Sequence, residues 1–456
     1  MRSLTSLFRA SRAVLCQEET LLRFQEWHLT ATLELHTLIF GIAGVAVAEK
    51  IDTIVVGGGQ AGLAVSYHLK RLGRAHIVLE RGRVGQSWRS ERWDSLMFQF
   101  PSSSIQLPGY TYKTDDPDGY VCKDEIVRFI ENYAELIDAP LPCDLRVVAL
   151  DRDSASGRLL IETEQGRSFE AVNVIVATGP FHLPHIPAFA ASMPVELFQV
   201  HSRDYRNPGQ LPRGAVLIVG SGASGSQIAE ELHQAGRKVY LSTGRFRKTP
   251  RCYRGRDIYW WFEVLGIWHE PLALHPEMRN LRFVVTGAGG GHDIDLRSFA
   301  VDGMTLLGRL LGYSDGNLLI AADLEDTLAE GDAWFTSLKK RMDDYAEKNG
   351  MTFSEESRIE EPVPVLPPWS RPITELDLRS AGINSVVWCS GYRYDFTWVK
   401  LPILNDAGEP LHQRGVTQYP GLYFLGLRRT YAVSSALLAG VGNDAGFIAD
   451  HIAARS

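Results

Sequence analysis

Two glycine clusters hold the residues of this sequence best suited to chemistry, Gly57-Gly58-Gly59-Gln60-Ala61-Gly62 and Gly220-Ser221-Gly222-Ala223-Ser224-Gly225. Each comes after a short apolar run and precedes apolar residues at helical spacing, the context in which a glycine turn cradles a pyrophosphate. Gly57 or Gly220 permits the tight bend, Gly59 or Gly222 lets the backbone approach the phosphates, and Gly62 or Gly225 lets helix and strand pack closely. Gln60, Ala61 and Ser224 fall where the helices open, and a helix N-terminus offers free N–H groups and a partial positive charge. The second strands of the two units end differently. After the first turn, Ile77-Val78-Leu79 reads as a strand ending on Glu80, eighteen residues past Gly62, where a carboxylate would hold ribose hydroxyls. After the second, Val239-Tyr240-Leu241 leads into Ser242-Thr243-Gly244-Arg245-Phe246-Arg247-Lys248. Hydroxyls and cations at that point, Arg245 foremost, suit a 2′-phosphate and hence NADP rather than NAD; the competing reading is a solvated loop.

Holding two such turns in place takes a chain of some size. At 456 residues it has room for two to three domains, and 45% apolar with 22% charged residues is ordinary for a globular protein with a sizeable core. A net charge of −7 gives no encouragement to nucleic-acid binding. The five cysteines, Cys16, Cys122, Cys143, Cys252 and Cys389, include no C-x-x-C or C-x-x-x-x-C pair. That argues against a disulfide framework, a zinc ribbon and a dithiol redox centre, and fits a reducing, cytoplasmic compartment. Residues 1–50 carry Arg2, Arg9 and Arg12 before any acid, yet Glu18, Glu19, Glu26 and Glu34 suit no targeting peptide. The uncharged 37–48 stretch is too short to span a bilayer, so this segment is expected to be a poorly ordered extension with little role in the fold.

Periodicity predicts a helix over 123–137, a meander over 145–170, a buried strand over 172–177 and helices over 333–348 and 434–452. Strands are expected at 386–389 and 422–425, and Pro362, Pro364, Pro367, Pro368 and Pro372 form a rigid connector. The loop Arg81-Gly82-Arg83-Val84-Gly85-Gln86-Ser87-Trp88 and the aromatics through Phe100 read as a structured loop along a flat ligand, or as a plug for a core. Tyr259, Trp260, Trp261, Phe262 and Trp268 fit a substrate pocket, a core or a homodimer contact equally. His182 and His185 form an H-x-x-H among prolines without a third ligand candidate, so no metal is expected.

Two dinucleotide units in one chain, one ending on an acid and the other on cations, imply FAD and NADPH together. The chain resembles the flavin-containing monooxygenase superfamily over nearly everything from Ile51 onward. The matching pieces are both glycine clusters, Gly85-Gln86-Ser87-Trp88, Ala177-Thr178-Gly179 and Cys389-Ser390-Gly391-Tyr392. Trp88-Arg89, Trp93-Asp94-Ser95-Leu96, Pro101 and Leu107-Pro108-Gly109 look most like bacterial flavoproteins described as linked to potassium transport. The resemblance implies an α/β fold of two Rossmann-like domains, the second inserted in the first, with a mostly helical insertion. The expected boundaries are 51–195 and 373–456 for FAD, 196–254 for the NADPH core and 255–372 for the insertion. It also implies cofactor contacts from Arg81, Ser87, Trp88, Gly391 and Gly426.

Of the family fingerprint F-x-G-x-x-x-H-S-x-x-Y, the chain keeps His201, Ser202 and Tyr205, with Val195 and Leu197 replacing phenylalanine and glycine. Members of the Baeyer–Villiger type carry tryptophan in place of Tyr205, which shifts the expectation towards oxygenation at nitrogen, sulfur or activated carbon. A polar residue beside the flavin is carried over to Gln99, and Gln99, His201 and Tyr205 are the candidate catalytic residues, His201 and Tyr205 more as braces between the domains. The implied activity is that of an NADPH-dependent FAD monooxygenase, in which a flavin C4a-hydroperoxide delivers one oxygen atom of dioxygen to a small organic molecule. The alternatives are an NADPH-flavin oxidase or reductase without oxygenated product, and a redox sensor that regulates a transporter.

Overall fold

A computed structural model of the chain describes residues 48–280, 283–353 and 372–455. The expectations for residues 1–47, and for the prolines from Pro362 to Pro368, fall outside the described residues. Lys50–Ser456 cluster as one unit, built on two sheets.

Strand β1 (Glu49–Val56) ends in an apolar run whose Ile54, Val55 and Val56 are buried. Strands buried on both faces read as continuous hydrophobic runs, and β1 pairs in parallel with β2 (His76–Leu79), Val56 opposite Leu79. Helix α1 (Gln60–Arg71) crosses between them and buries Leu63, Ala64, Val65 and Leu69. In α2 (Lys123–Leu136), Ile126, Phe129, Ile130 and Tyr133 recur at three-to-four spacing and enter the same core. The meander is β3 (Val147–Arg152), β4 (Leu159–Thr163) and β5 (Ser168–Val176), antiparallel throughout. The first sheet runs β2-β1-β5-β4-β3.

The second sheet collects β6 (Phe198–His201), β7 (Ala215–Val219), β8 (Val239–Ser242), β9 (Thr305–Leu307) and a late strand at 383–388, every pairing parallel. Helix α3 (Ala223–Gln234) joins β7 to β8 as α1 joins β1 to β2. Beyond β8, helix α4 (Ile258–Val264) carries the aromatic run, with Trp261 and Phe262 buried. Strands β10 (Leu310–Ser314) and β11 (Asn317–Ile320) form an antiparallel ribbon. Helix α5 (Leu324–Lys348) is next, then β12 (Glu375–Asp377), which pairs with β11, and β13 (Ile383–Trp388). The chain returns to the first sheet only with β14 (Leu422–Phe424), parallel to β5, and ends in α6 (Val441–Ala454), packed on α1.

Three expectations change. The return to the first domain at residue 373 is too early, because β13 lies between β7 and β6 in the second sheet. The 255–372 insertion is mixed, since β9 extends the second sheet and β10 and β11 add a ribbon. The last helix begins at Val441 rather than at 434, because Ser434 folds back over Gly440, where a Cβ would lie 2.0 Å from the Ser434 hydroxyl.

Candidate active site between two nucleotide cradles

The two glycine turns are built alike. Gly57 has φ +110, and a Cβ there would lie 2.6 Å from the Ala177 carbonyl oxygen; Gly220 also has φ +110, and its Cβ would lie 2.6 Å from the Cys389 carbonyl oxygen. A Cβ at Gly62 would meet the Gly57 oxygen at 1.9 Å, and one at Gly225 the Gly220 oxygen at 1.7 Å. Gly62 and Gly225 therefore serve helix packing behind the turns and stand outside the cavity lining. Gly59 and Gly222 have ordinary extended backbone, φ −82 and −73, and a Cβ on either meets nothing within 4 Å. Neither conformation nor packing asks for glycine there; an approaching pyrophosphate does.

Both turns open on one cavity of 2390 Å³. Around the first turn, Glu80 accepts from the Gly58 N–H at 2.7 Å and the Gly82 N–H at 2.9 Å, which fixes its carboxylate at the strand end. Each oxygen keeps capacity for a ribose hydroxyl. Gln60, Ala61, Arg81, Ser87 and Trp88 line the cavity, as do Gly391 and Gly426. Gly426 (φ +75) lets the end of β14 approach α1, for a Cβ there would lie 2.6 Å from the Ala61 Cβ. Arg81 also pairs with Glu91 at 3.2 Å. The second Glu91 carboxylate oxygen is buried without a partner among the described residues, an acceptor available to a ligand hydroxyl.

Around the second turn, Ser224 and Arg245 line the cavity, and Arg245 is exposed to it. Its neighbours are committed: Lys248 pairs with Asp295 at 2.5 Å, and Arg247 lies over the Trp334 ring at 4.6 Å. Trp334 comes from α5, which reaches the loop because Gly331 lies against Phe246. The Trp334 indole N–H is buried without an acceptor among the described residues. A guanidinium without a partner among the described residues and an unsatisfied indole donor on the same cavity lining fit a 2′-phosphate.

The three candidate catalytic residues separate. Gln99 lines the cavity, its backbone carbonyl accepting from Arg251 at 2.6 Å and its amide donating to the Val285 carbonyl at 3.4 Å. His201 and Tyr205 do not reach the lining. His201 Nδ1 accepts from the Arg203 N–H at 3.1 Å, which leaves Nε2 as the donor to the Gly391 carbonyl at 3.0 Å. Burial holds this imidazole below its ordinary value and keeps it neutral. Tyr205 donates to Glu231 at 2.7 Å, and burial with that carboxylate raises its phenol far above the usual range. The side-chain polar atoms of both residues are engaged away from the cavity, an arrangement that suits a brace more than a catalyst.

Sequence reasoning named Cys389-Ser390-Gly391 without its place under the second turn, and missed Trp334 and Gln227. Cys389-Ser390-Gly391 closes the second cradle as Ala177-Thr178-Gly179 closes the first; the shared signal is a buried strand running into a small residue and glycine. Trp334 lies 89 residues past Arg245 with nothing local to mark it. Gln227, which lines the cavity and donates to the Val285 carbonyl at 2.7 Å, reads in sequence as one more helical polar residue. Among the described residues no cluster of His, Cys, Asp and Glu could hold a metal. His182 instead bonds Thr178 at 3.1 Å and the Asp395 N–H at 2.9 Å.

A family model described as pyridine nucleotide-disulphide oxidoreductase matches residues 54–253. An oxidoreductase of Geobacillus kaustophilus described as CzcO-like is 34% identical over 405 residues, 88% of this chain and 98% of that protein. The indole-3-pyruvate monooxygenase YUCCA1 of rice (Oryza sativa subsp. japonica) is 28% identical over 186 residues, 41% of this chain and 46% of its own. The flavin-containing monooxygenase from Stenotrophomonas maltophilia has the same fold, with a TM-score of 0.61 at 20% identity over 89% of this chain and 99% of that one.

Proposed function

The chain belongs to the CzcO-like oxidoreductases, within the flavin-containing monooxygenase superfamily, and from that premise we propose an NADPH-dependent FAD monooxygenase that transfers one oxygen atom to a small organic substrate. The observation that carries this reading is the single cavity onto which both glycine cradles open. The overall balance is substrate, NADPH, a proton and dioxygen giving oxygenated substrate, NADP⁺ and water. Bound FAD supplies hydride acceptance from NADPH and, once reduced, activation of dioxygen.

The chain's own residues do the rest. Gly57 to Ala61 hold the FAD pyrophosphate at the N-terminus of α1, and Glu80 takes the ribose hydroxyls. Gly220 to Ser224 hold the NADPH pyrophosphate, with Arg245 and Trp334 receiving the 2′-phosphate. Gln99 presents an amide at the cavity wall, held from behind by Arg251. Phe98, Phe100 and Leu437 keep that wall dry, which protects a reactive oxygen species from water. The one cysteine at the cradles, Cys389, has its thiol pushed up to about 12 by burial, so it contributes no thiolate. Tyr205, in place of the tryptophan of Baeyer–Villiger enzymes, favours oxygenation at nitrogen, sulfur or activated carbon. The cytoplasm is the proposed compartment; among the described residues no helix is long and apolar enough to cross a membrane.

Mixing the purified yellow protein with NADPH in air, against a panel of amines, sulfides and cyclic ketones, tests the assignment. Oxygenated product matching NADPH consumed is the expected result. Peroxide equal to NADPH with every compound would make it an oxidase, and a flavin that NADPH never bleaches would make it a sensor.

A further inference from the structure

The cavity changes character along its length. Charged residues of the lining stand at the two cradles, as Glu80, Arg81, Arg245 and Arg247 do, and Arg92 lies over the Trp88 ring at 5.4 Å. The wall formed by Phe98, Gln99, Phe100, Tyr259, Phe283 and Leu437 carries no charged side chain. Its rings form one surface: Phe100 stands 6.1 Å from Phe98, 5.8 Å from Tyr259 and 5.6 Å from Phe283, centroid to centroid. Behind it Trp268 packs on Tyr259 at 5.2 Å and on Phe283 at 5.1 Å, fully buried with Trp261 and Phe262. The aromatic density of the insertion thus divides into a core layer and a face. Tyr259 is fixed at both backbone ends, its N–H donating to the Asp257 carboxylate at 2.7 Å and its carbonyl accepting from the Trp268 indole at 2.9 Å.

Behind this wall the buried Arg251 donates to the Asp257 carboxylate and the Gln99 carbonyl, both at 2.6 Å, while its Nε has no partner among the described residues. The polar groups left on the wall are the Tyr259 hydroxyl and two side-chain amides. Gln99 and Gln227 both donate to the Val285 carbonyl, which fixes their orientation and leaves both amide oxygens as acceptors without a partner among the described residues. A ring has three aromatic faces to pack on and a donor has two acceptors, while a carboxylate or ammonium set on those faces would lose its water with no opposite charge among the six wall residues to meet.

We propose that the substrate is an uncharged aromatic molecule, its ring held by Tyr259, Phe283 and Phe98. This inference rests on the monooxygenase reading and goes beyond it by naming the substrate class. Three methyl sulfides that share the reacting sulfur separate the two: methyl phenyl sulfide, methyl cyclohexyl sulfide and 4-(methylthio)benzoate. Equilibrium binding to the oxidised holoenzyme is read from the flavin absorbance, and sulfoxide formed per NADPH is read in turnover. The phenyl compound should bind about three- to tenfold tighter than the cyclohexyl one, and more than about tenfold tighter than the benzoate. In Tyr259→Leu and Phe283→Leu variants that stay yellow, the phenyl preference over cyclohexyl should vanish. Equal binding of the three sulfides, or tightest binding of the benzoate, would overturn the substrate class whatever the variants do. A clear phenyl preference with peroxide and no sulfoxide would instead defeat the monooxygenase reading alone.

Discussion

In the first cradle Gly57 turns against the Ala177 carbonyl, and in the second Gly220 turns against the Cys389 carbonyl, at the same φ and the same 2.6 Å. The correspondence continues residue for residue: Leu79 accepts from the Gly57 N–H and Ser242 from the Gly220 N–H, which places Glu80 opposite Thr243. There the likeness ends. Glu80 turns its carboxylate back onto its own turn, whereas the Thr243 hydroxyl donates away to the Leu307 carbonyl at 2.8 Å. Ser221 stands where the first turn has Gly58, and its hydroxyl accepts from the Gly244 N–H at 3.3 Å. One cradle thus presents a fixed negative charge and the other none, with Arg245 beyond it. The backbone requirement of a phosphate cradle is invariant within this one molecule, and the choice of nucleotide sits on one strand-end residue and the loop after it.

The largest effect should come where both cradles are alike. Gly62→Ala and Gly225→Ala each drive a Cβ into a backbone carbonyl, and each should cost more than about 3 kcal/mol, read as loss of soluble protein or a collapsed Tm. If either is tolerated, the two turns are not built the same way. Gly59→Ala and Gly222→Ala should fold normally and part company in ligand: the first loses FAD and yellow colour, the second stays yellow and loses NADPH. Each loss should be on the order of thirtyfold, or about 2 kcal/mol of binding, measured by flavin content and by titration with NADP⁺. A yellow Gly59→Ala protein would remove the first cradle from the FAD assignment.

Arg245→Ala should raise KM for NADPH about tenfold or more and leave NADH alone, since only NADPH offers the 2′-phosphate. Equal losses for both would erase the asymmetry. The smallest effect concerns the histidines that brace the two strand ends, His182 at Thr178 and His201 at Gly391. Burial lowers both imidazoles, so the folded state prefers them neutral. The unfolded chain binds protons first, at about pH 6.5, so their contribution is complete above that pH and is lost as pH falls towards the lowered folded values. Between pH 7 and pH 5 the fall in Tm should be smaller in His201→Gln than in the parent. An unchanged pH profile would show that His201 keeps its ordinary proton affinity.

Both cradles were legible in sequence because a glycine turn, its strand and its helix are contiguous, and each glycine has a local backbone reason. Glu80 and Arg245 were legible by distance from those turns. Phe283, Gln227 and Trp334 were not, for they reach the cavity through tertiary packing: Gly331 against Phe246 brings Trp334 in, and no local pattern encodes that contact. His201 and Tyr205 show the converse case. A family motif brought them forward, while burial and hydrogen bonding spend them on structure. The return of the chain at β14 was placed too early because the late strand β13 reads the same in sequence whichever sheet receives it.

The two passages of the chain between the sheets begin at Ala177 and at Cys389, immediately beneath the glycine turns, and each continues through a glycine at positive φ, Gly179 and Gly391. Any rocking of one lobe against the other would therefore swivel about the two glycine turns that open on the shared cavity. Outlying parts of the lobes would sweep widest and admit small molecules, while the separation that governs electron-pair hand-over would alter least.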